Sequence, residues 1–233
     1  ARVLRQEAEV LPFDANYVIM DADDQKSIVK RILKDLNLDD KLYPPAAMHA
    51  IISTAKNQLT SVEDFSAGNY REEIAKRIYE RYESTLRSSN ALDFDDLLLW
   101  TVKLFSEHTN VRKRYSTRFE HVLIDEFQDT NQAQYDLMKH FSSHHKNLFA
   151  VGDEDQSIYR WRGADYRNVL RFEKEFPKSS KILLERNYRS SQNILDAAQS
   201  VINQNSSRTP KNLFSKRGSG NPLTLYDAVD DHA

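Results

Sequence analysis

From residue 1 to about 117, apolar positions recur at three- and four-residue spacing, the pattern of helices that bury one face. Ala1 to Val10 has an amphipathic helix pattern. Ile28, Val29, Ile32, Leu33 and Leu36 stripe a second helix, with Asp23 or Asp24 placed to cap it. Pro44-Pro45 opens a third, with Met48, Ile51, Ile52, Ala55 and Leu59 on one side. Ile74, Ile78, Tyr79, Tyr82 and Leu86 stripe a long, charge-laced helix, and Leu97, Leu98, Trp100, Val102 and Phe105 another. Asp93, Asp95 and Asp96 precede the last stripe. They suit a first helical turn, where the helix dipole favours acids; a metal site is the weaker alternative. No strand pattern occurs in this half, which predicts a helical domain.

From about residue 119 the pattern changes. Short apolar runs alternate with helical stretches: strand at Val122–Ile124, helix from Gln132 to Phe141, strand at Asn147–Val151, helix from Tyr166 to Phe176, strand at Lys181–Leu184, helix from Ser191 to Asn203. This βαβαβα order predicts a parallel sheet with right-handed crossovers, an α/β fold. Ser206 to Gly220 is polar, basic and Gly-rich and reads as a loop. Pro222–Tyr226 is one more candidate strand.

The 233 residues suffice for one large or two small domains. Formal net charge is −2, so a nucleic-acid site has to be local rather than a property of the whole surface. The absence of cysteine removes disulfides, thiolate metal sites and cysteine nucleophiles, and fits a reducing compartment. No apolar run approaches the ~18–20 residues of a membrane span, so no membrane partner is expected. The seven histidines are scattered, and His144-His145 has no partner ligands at metal spacing. The chain starts without Met or cap and stops without a closing element; both ends look cut, and a fragment of a longer polypeptide is expected.

Three strand ends carry unusual residues. The first gives Asp125-Glu126, the second Gly152-Asp153-Glu154-Asp155-Gln156, and the third Glu185-Arg186-Asn187-Tyr188-Arg189. In open α/β sheets ligands bind at such ends. By itself the acidic pair also reads as a solvated turn after a core strand. The three ends together suit a nucleoside triphosphate with its metal. Carboxylate and water bind Mg²⁺, a second carboxylate orients the attacking water, and arginine stabilises charge on the transferring phosphoryl group. Tyr159-Arg160-Trp161-Arg162 interleaves aromatics with arginines, which suits stacking on unpaired bases; burial of Trp161 in a domain interface is the equal alternative.

LIDEFQDT (123–130), VGDEDQSIYRWRGA (151–164) and LERNYRSS (184–191) resemble, in order and spacing, motifs II, III and IV of the UvrD/Rep/PcrA-type superfamily 1 DNA helicases. The helical half resembles that family's 1B subdomain, with LDFDDLL (92–98) a landmark. The resemblance implies a partial RecA-like (P-loop NTPase) parallel sheet with a large all-helical inserted subdomain. It places 1B at 1–117, the C-terminal part of domain 1A at 118–185, and the start of domain 2A at 186–233. It implies ATP and Mg²⁺ as cofactors, and single-stranded and duplex DNA as partners beside possible repair or replication proteins. Asp125 resembles the aspartate that holds Mg²⁺ through water, and Glu126 the catalytic glutamate at the metal that activates the attacking water. Gln156 resembles the glutamine that senses the γ-phosphate, Tyr188 the tyrosine stacked on adenine, and Arg189 the arginine finger. Tyr159, Trp161 and Arg162 resemble the single-strand track. Asp129 or Thr130 is read first as a helix cap.

No G-x-x-x-x-G-K-[ST] occurs in the chain, which has only five glycines. The expectation is therefore part of a cytoplasmic, ATP-dependent 3′-to-5′ DNA helicase or translocase that is inactive by itself. Its incomplete 1A sheet is expected to be prone to aggregation. The alternatives are the helicase part of a helicase–nuclease recombination enzyme, and a non-catalytic DNA- or protein-binding module.

Overall fold

The computed structural model describes residues 1–159, 163–165, 167–205 and 208–227. Its described residues fall into two compact units, one of residues 1–153 with 157–170, the other of 154–156 with 171–233.

The first unit opens with α1 (Arg2–Gln6) and a single 3₁₀ turn over Ala8–Val10, so the amphipathic start breaks at Glu7. Next come α2 (Ala22–Asp35), α3 (Pro45–Asn57), α4 (Tyr70–Ser88), α5 (Phe94–Glu107) and α6 (Thr109–Arg118). The cap of α2 is Asp21, not Asp23 or Asp24. Asp21 has the extended backbone of a cap and accepts from the N–H groups of Asp23 and Asp24, while the Asp24 carboxylate returns to the Asp21 N–H. Pro45 starts α3 as expected. Asp93 caps α5 in a second reciprocal box with Asp96, which bears out capping for that acidic cluster. Among the described residues no group of three acids and histidines is placed to hold a metal.

The helical half is not purely helical. β1 (Val18–Ile19) and β2 (Ala91–Leu92) form a short parallel ladder. Two-residue strands are too short to show alternation, so the pattern could not reveal them. The helices serve two separate cores. One joins Val29, Ile32 and Leu33 of α2, Met48 and Ile52 of α3, and Ile74, Ile78 and Tyr82 of α4. The other gathers Leu4, Tyr17, Leu92, Leu104, Phe105 and Tyr115.

β3 (Val122–Ile124) and β4 (Leu148–Ala150) pair in parallel, with Leu123 opposite Phe149, on either side of α7 (Gln132–Phe141). Val122 and Ile124 face α7 across a cavity of about 270 Å³ that Tyr135, Met138 and Phe141 also line. On the other face Leu123 is 72% and Phe149 59% exposed, so this side of the ladder lies bare. The cap of α7 is Asn131 rather than Asp129 or Thr130, because those two lie in and after a 3₁₀ turn over Phe127–Asp129. α8 (Arg167–Glu175) begins in the first unit and ends in the second.

In the second unit, β5 (Arg186–Asn187) pairs in parallel with β6 (Phe214–Ser215), and α9 is Gln192–Ile202. The strand expected at Lys181–Leu184 does not form: Ile182 and Leu184 are 77% and 79% exposed. A buried parallel strand exists only through its neighbours, and among the described residues none pairs with this run. Among the described residues Pro222–Tyr226 likewise joins no ladder. The stretch read as a basic loop contains β6 and is anchored, since Arg208 and Lys211 both ion-pair with Asp155. Among the described residues no helix is long and apolar enough to cross a membrane.

Candidate active site

Asp125 and Glu126 stand where β3 stops. The Glu126 N–H donates to Asp125 Oδ1 at 3.0 Å. Glu126 itself has φ 49° and ψ 44°, the left-handed conformation, which costs a non-glycine residue roughly 1–2 kcal/mol. That turn ends the strand and sends the chain into the 3₁₀ turn over Phe127–Asp129. Both carboxylates are exposed, and among the described residues neither forms an ion pair with Lys or Arg. Oxygen donors with uncompensated negative charge at a strand end are what Mg²⁺ with its waters requires.

β4 brings a second strand end beside the first. Val151 N–H donates to the Ile124 carbonyl and Phe127 N–H to the Val151 carbonyl, at 2.8 and 2.9 Å, so the two ends are stitched past the ladder. Gly152 sits against Phe127 and Gln128; a Cβ there would stand 2.7 Å from Gln128 Oε1 and 3.1 Å from the Phe127 nitrogen. A Cβ there would have to displace the Gln128 amide and press on the backbone beside it, so glycine suits that approach.

Gln128 is 1% exposed and fills the angle between the ends. Its Nε2 donates to Glu126 Oε2 at 2.8 Å, and its Oε1 accepts from the Asp153 N–H at 3.0 Å. The peptide after the turn is equally fixed: Asn168, fully buried, donates to the Thr130 carbonyl at 2.9 Å, and Asn131 donates to Asn57 Oδ1.

The remaining predicted residues are distributed as follows. Tyr159 lies in the first unit and is 37% exposed. Trp161 and Arg162 lie outside the described residues. Gln156 ends a 3₁₀ turn in the second unit, where Asp155 is clamped by Arg208 at 2.7 Å and Lys211 at 2.9 Å. Against the upward push of burial, those two cations hold the Asp155 carboxyl below its usual range. Tyr188 and Arg189 follow β5 in the same unit, both exposed, on a turn in which Asn187 Oδ1 accepts from the Arg189 and Ser190 N–H groups. Arg186 lies over the Tyr188 ring at 4.6 Å. Of the predicted set, Asp125 and Glu126 are thus placed together on one edge.

The sequence matches the family model described as the UvrD/REP helicase N-terminal domain over residues 1–177, and that of the UvrD-like helicase C-terminal domain over 182–233. The chain belongs to the UvrD/Rep helicase family. With membership comes the RecA-like α/β fold. Among curated UvrD/Rep relatives, a protein of Bacillus subtilis (strain 168) named ATP-dependent DNA helicase PcrA is 46% identical over 227 residues, 97% of this chain and 31% of the relative. The protein of that name from Leuconostoc citreum is 43% identical over 233 residues, 99% of this chain and 31% of its own. The chain therefore spans less than a third of the length of these UvrD/Rep relatives.

One buried cluster beside the site escaped the sequence reading. Lys56, at the end of α3, has no exposure, and its Nζ lies 2.7 Å from Asp96, 2.8 Å from Asp93 and 2.7 Å from Glu83. The Tyr82 hydroxyl donates to Asp93 at 3.0 Å. Burial alone would lower the Lys56 pKa; Asp96, Asp93 and Glu83 together override it and hold the ammonium well above its ordinary value. Burial pushes the Asp96 carboxyl up to about 8, while the Lys56 ammonium, against burial, keeps Asp93 below the usual range. The next residue, Asn57, donates to Asp95 at 3.0 Å and to the Ser53 carbonyl at 2.8 Å. A signal did exist: Met48, Ile52 and Lys56 are four apart, which puts a lysine on the apolar face of its helix.

Proposed function

We propose that this chain is part of an ATP-dependent DNA helicase or translocase that couples ATP hydrolysis to 3′-to-5′ movement on single-stranded DNA and to duplex unwinding. The observation that carries the reading is the Asp125-Glu126 pair at the end of β3, beside the Gly152-Asp153 end of β4. The name the relatives bear, ATP-dependent DNA helicase, supports it.

In this reading Mg²⁺ with ATP supplies the phosphoryl group and its charge neutralisation. Asp125 holds the metal through water. Glu126 accepts the proton of the attacking water, its carboxylate held by the hydrogen bond from Gln128. Gln156 senses the γ-phosphate, Tyr188 stacks on adenine, and Arg189 stabilises the transferring charge. Tyr159, Trp161 and Arg162 form the single-strand track. The chain has no phosphate-cradling G-x-x-x-x-G-K-[ST] among its residues, so the isolated chain is expected not to turn over ATP. The helical inserted subdomain covers residues 1–117, and the shared core of α2, α3 and α4 supports its helical character. The partial 1A domain covers 118–185 and the start of 2A covers 186–233, in a cytoplasmic protein.

The test uses the full-length protein. Glu126→Gln should abolish DNA-stimulated ATP turnover while nucleotide binding persists. Turnover within tenfold of wild type would remove Glu126 from the mechanism, and turnover by residues 1–233 alone would overturn the claim that they are inert.

A further inference from the structure

The buried Gln128 amide meets two different partners with its two ends. Its donor end, Nε2, points at the Glu126 carboxylate at 2.8 Å, and also reaches Asp129 Oδ2 at 3.3 Å. Its acceptor end, Oε1, takes the Asp153 N–H at 3.0 Å. The orientation is therefore fixed by polarity: turning the amide over would set an oxygen against a carboxylate and an NH₂ against an N–H. The pocket is as specific as the bonds, because Gly152 leaves no room for a Cβ beside Oε1. The Ser157 hydroxyl also reaches the Gln128 carbonyl at 3.4 Å, so side chain and backbone are both tied to the segment after β4.

A glutamine used only to fasten two loops would need just the bond to Asp153. The second bond is made to an exposed carboxylate that water could satisfy equally well. A charge-assisted hydrogen bond from a donor that cannot itself move fixes the direction in which the free lone pairs point.

We propose that Gln128 is a positioning residue for the general base: it holds the Glu126 carboxylate aimed, and makes that aim depend on the segment after β4. Resting on the function proposed above, this means that a shift of Asp153 displaces Gln128 Oε1, and with it the donor that orients Glu126. The strand end at Gly152-Asp153 thereby sets how well the base works. Substrate binding does not enter, so the effect belongs to kcat and leaves KM for ATP alone.

The test compares Gln128→Glu, Gln128→Met and Glu126→Gln in the full-length protein, measuring DNA-stimulated ATPase from pH 5.5 to 9.5 and binding of a fluorescent ATP analogue. Gln128→Glu has nearly the same shape and keeps an acceptor for the Asp153 N–H, but sets a second carboxylate against Glu126. Two carboxylates that close cannot both ionise freely, so the acid limb of kcat should move up by one pH unit or more, with activity returning at high pH. Gln128→Met removes both bonds and should lower kcat 10- to 100-fold with KM within twofold and no movement of the limb. A glutamine that only fastens the two segments would leave kcat of Gln128→Met within about twofold of wild type; that result, or a Gln128→Glu unchanged in kcat and pH profile, overturns the proposal, and the second is available even if the Met variant does not fold. If Glu126→Gln still turns over ATP, the reading of the acidic pair falls first. If Glu126→Gln is dead and Gln128→Glu is unaltered, only the positioning role falls.

Discussion

Replacing Lys56 by methionine tests a buried cluster in which one ammonium meets three carboxylates. The substitution keeps most of the buried stem and removes the ammonium that faces Asp93, Asp96 and Glu83. Asp93 and Asp96 are each 1% exposed, so water cannot replace it. Breaking a buried ion pair by deleting one partner costs about 3–5 kcal/mol. Three retained hydrogen bonds soften the loss: the Asp96 N–H and Tyr82 O–H to Asp93, and the Asp93 N–H to Asp96. The expected loss is therefore near the lower bound, about 3 kcal/mol. For a chain of this size that is a fall in Tm of about 6–12 °C. The assay is urea and thermal unfolding of residues 1–233 followed by circular dichroism at 222 nm, pH 7. The triple change Lys56→Met, Asp93→Asn, Asp96→Asn should recover at least half of the loss, since asparagine still caps a helix and only Glu83, 19% exposed, keeps an unanswered carboxylate. A loss below about 1 kcal/mol for Lys56→Met, against that expectation, would refute the reasoning. So would a triple variant no better than the single one, because the defect would then be packing.

Three further outcomes follow from particular residues. The folded-state pKa of Asp96, raised to about 8, lies above its unfolded value, so its contribution is present at low pH and is lost as pH rises through 8. Tm should therefore fall between pH 6 and 9 and fall less in Asp96→Asn; equal slopes would sink the assignment. Asp21→Ala should cost about 1 kcal/mol as a lost cap, while Asp23→Ala, whose side chain caps nothing, should cost almost none; equal costs in urea melts would count against the cap. Leu123→Thr with Phe149→Thr should lower light scattering of the concentrated chain without changing its circular dichroism, since both side chains lie on the bare face of the ladder; unchanged scattering would place the sticky surface elsewhere.

Long-range periodicity was legible and short-range pairing was not. α2 to α5, α7 and α9 follow from apolar spacing and from caps close to where they fall. β3 and β4 are legible because each short apolar run ends at turn chemistry. β1 and β2 leave no pattern at two residues each, and Lys181–Leu184 has strand composition without a strand's neighbours. In the site, Asp125 and Glu126 stand out by composition and place. Gln128 does not, because its partner Asp153 is 25 residues away and its other bond depends on the left-handed turn at Glu126. Lys56 was hidden for the same reason, its carboxylates lying up to 40 residues further on.

The β1–β2 ladder carries a consequence for how this chain can change over evolutionary time. Val18 and Ile19 lie beside Ala91 and Leu92, so everything between them departs from and rejoins the second core at one doorway. Helices can be added, trimmed or exchanged inside that excursion without rethreading the strands that lead to Asp125. Because the two strands run parallel, no tight turn can close the gap; the smallest substitute is a crossover connection, most simply one helix. Whatever replaces the excursion must also answer the acids that Lys56 now answers, so Asp93 and Asp96 act as a compatibility check on every graft.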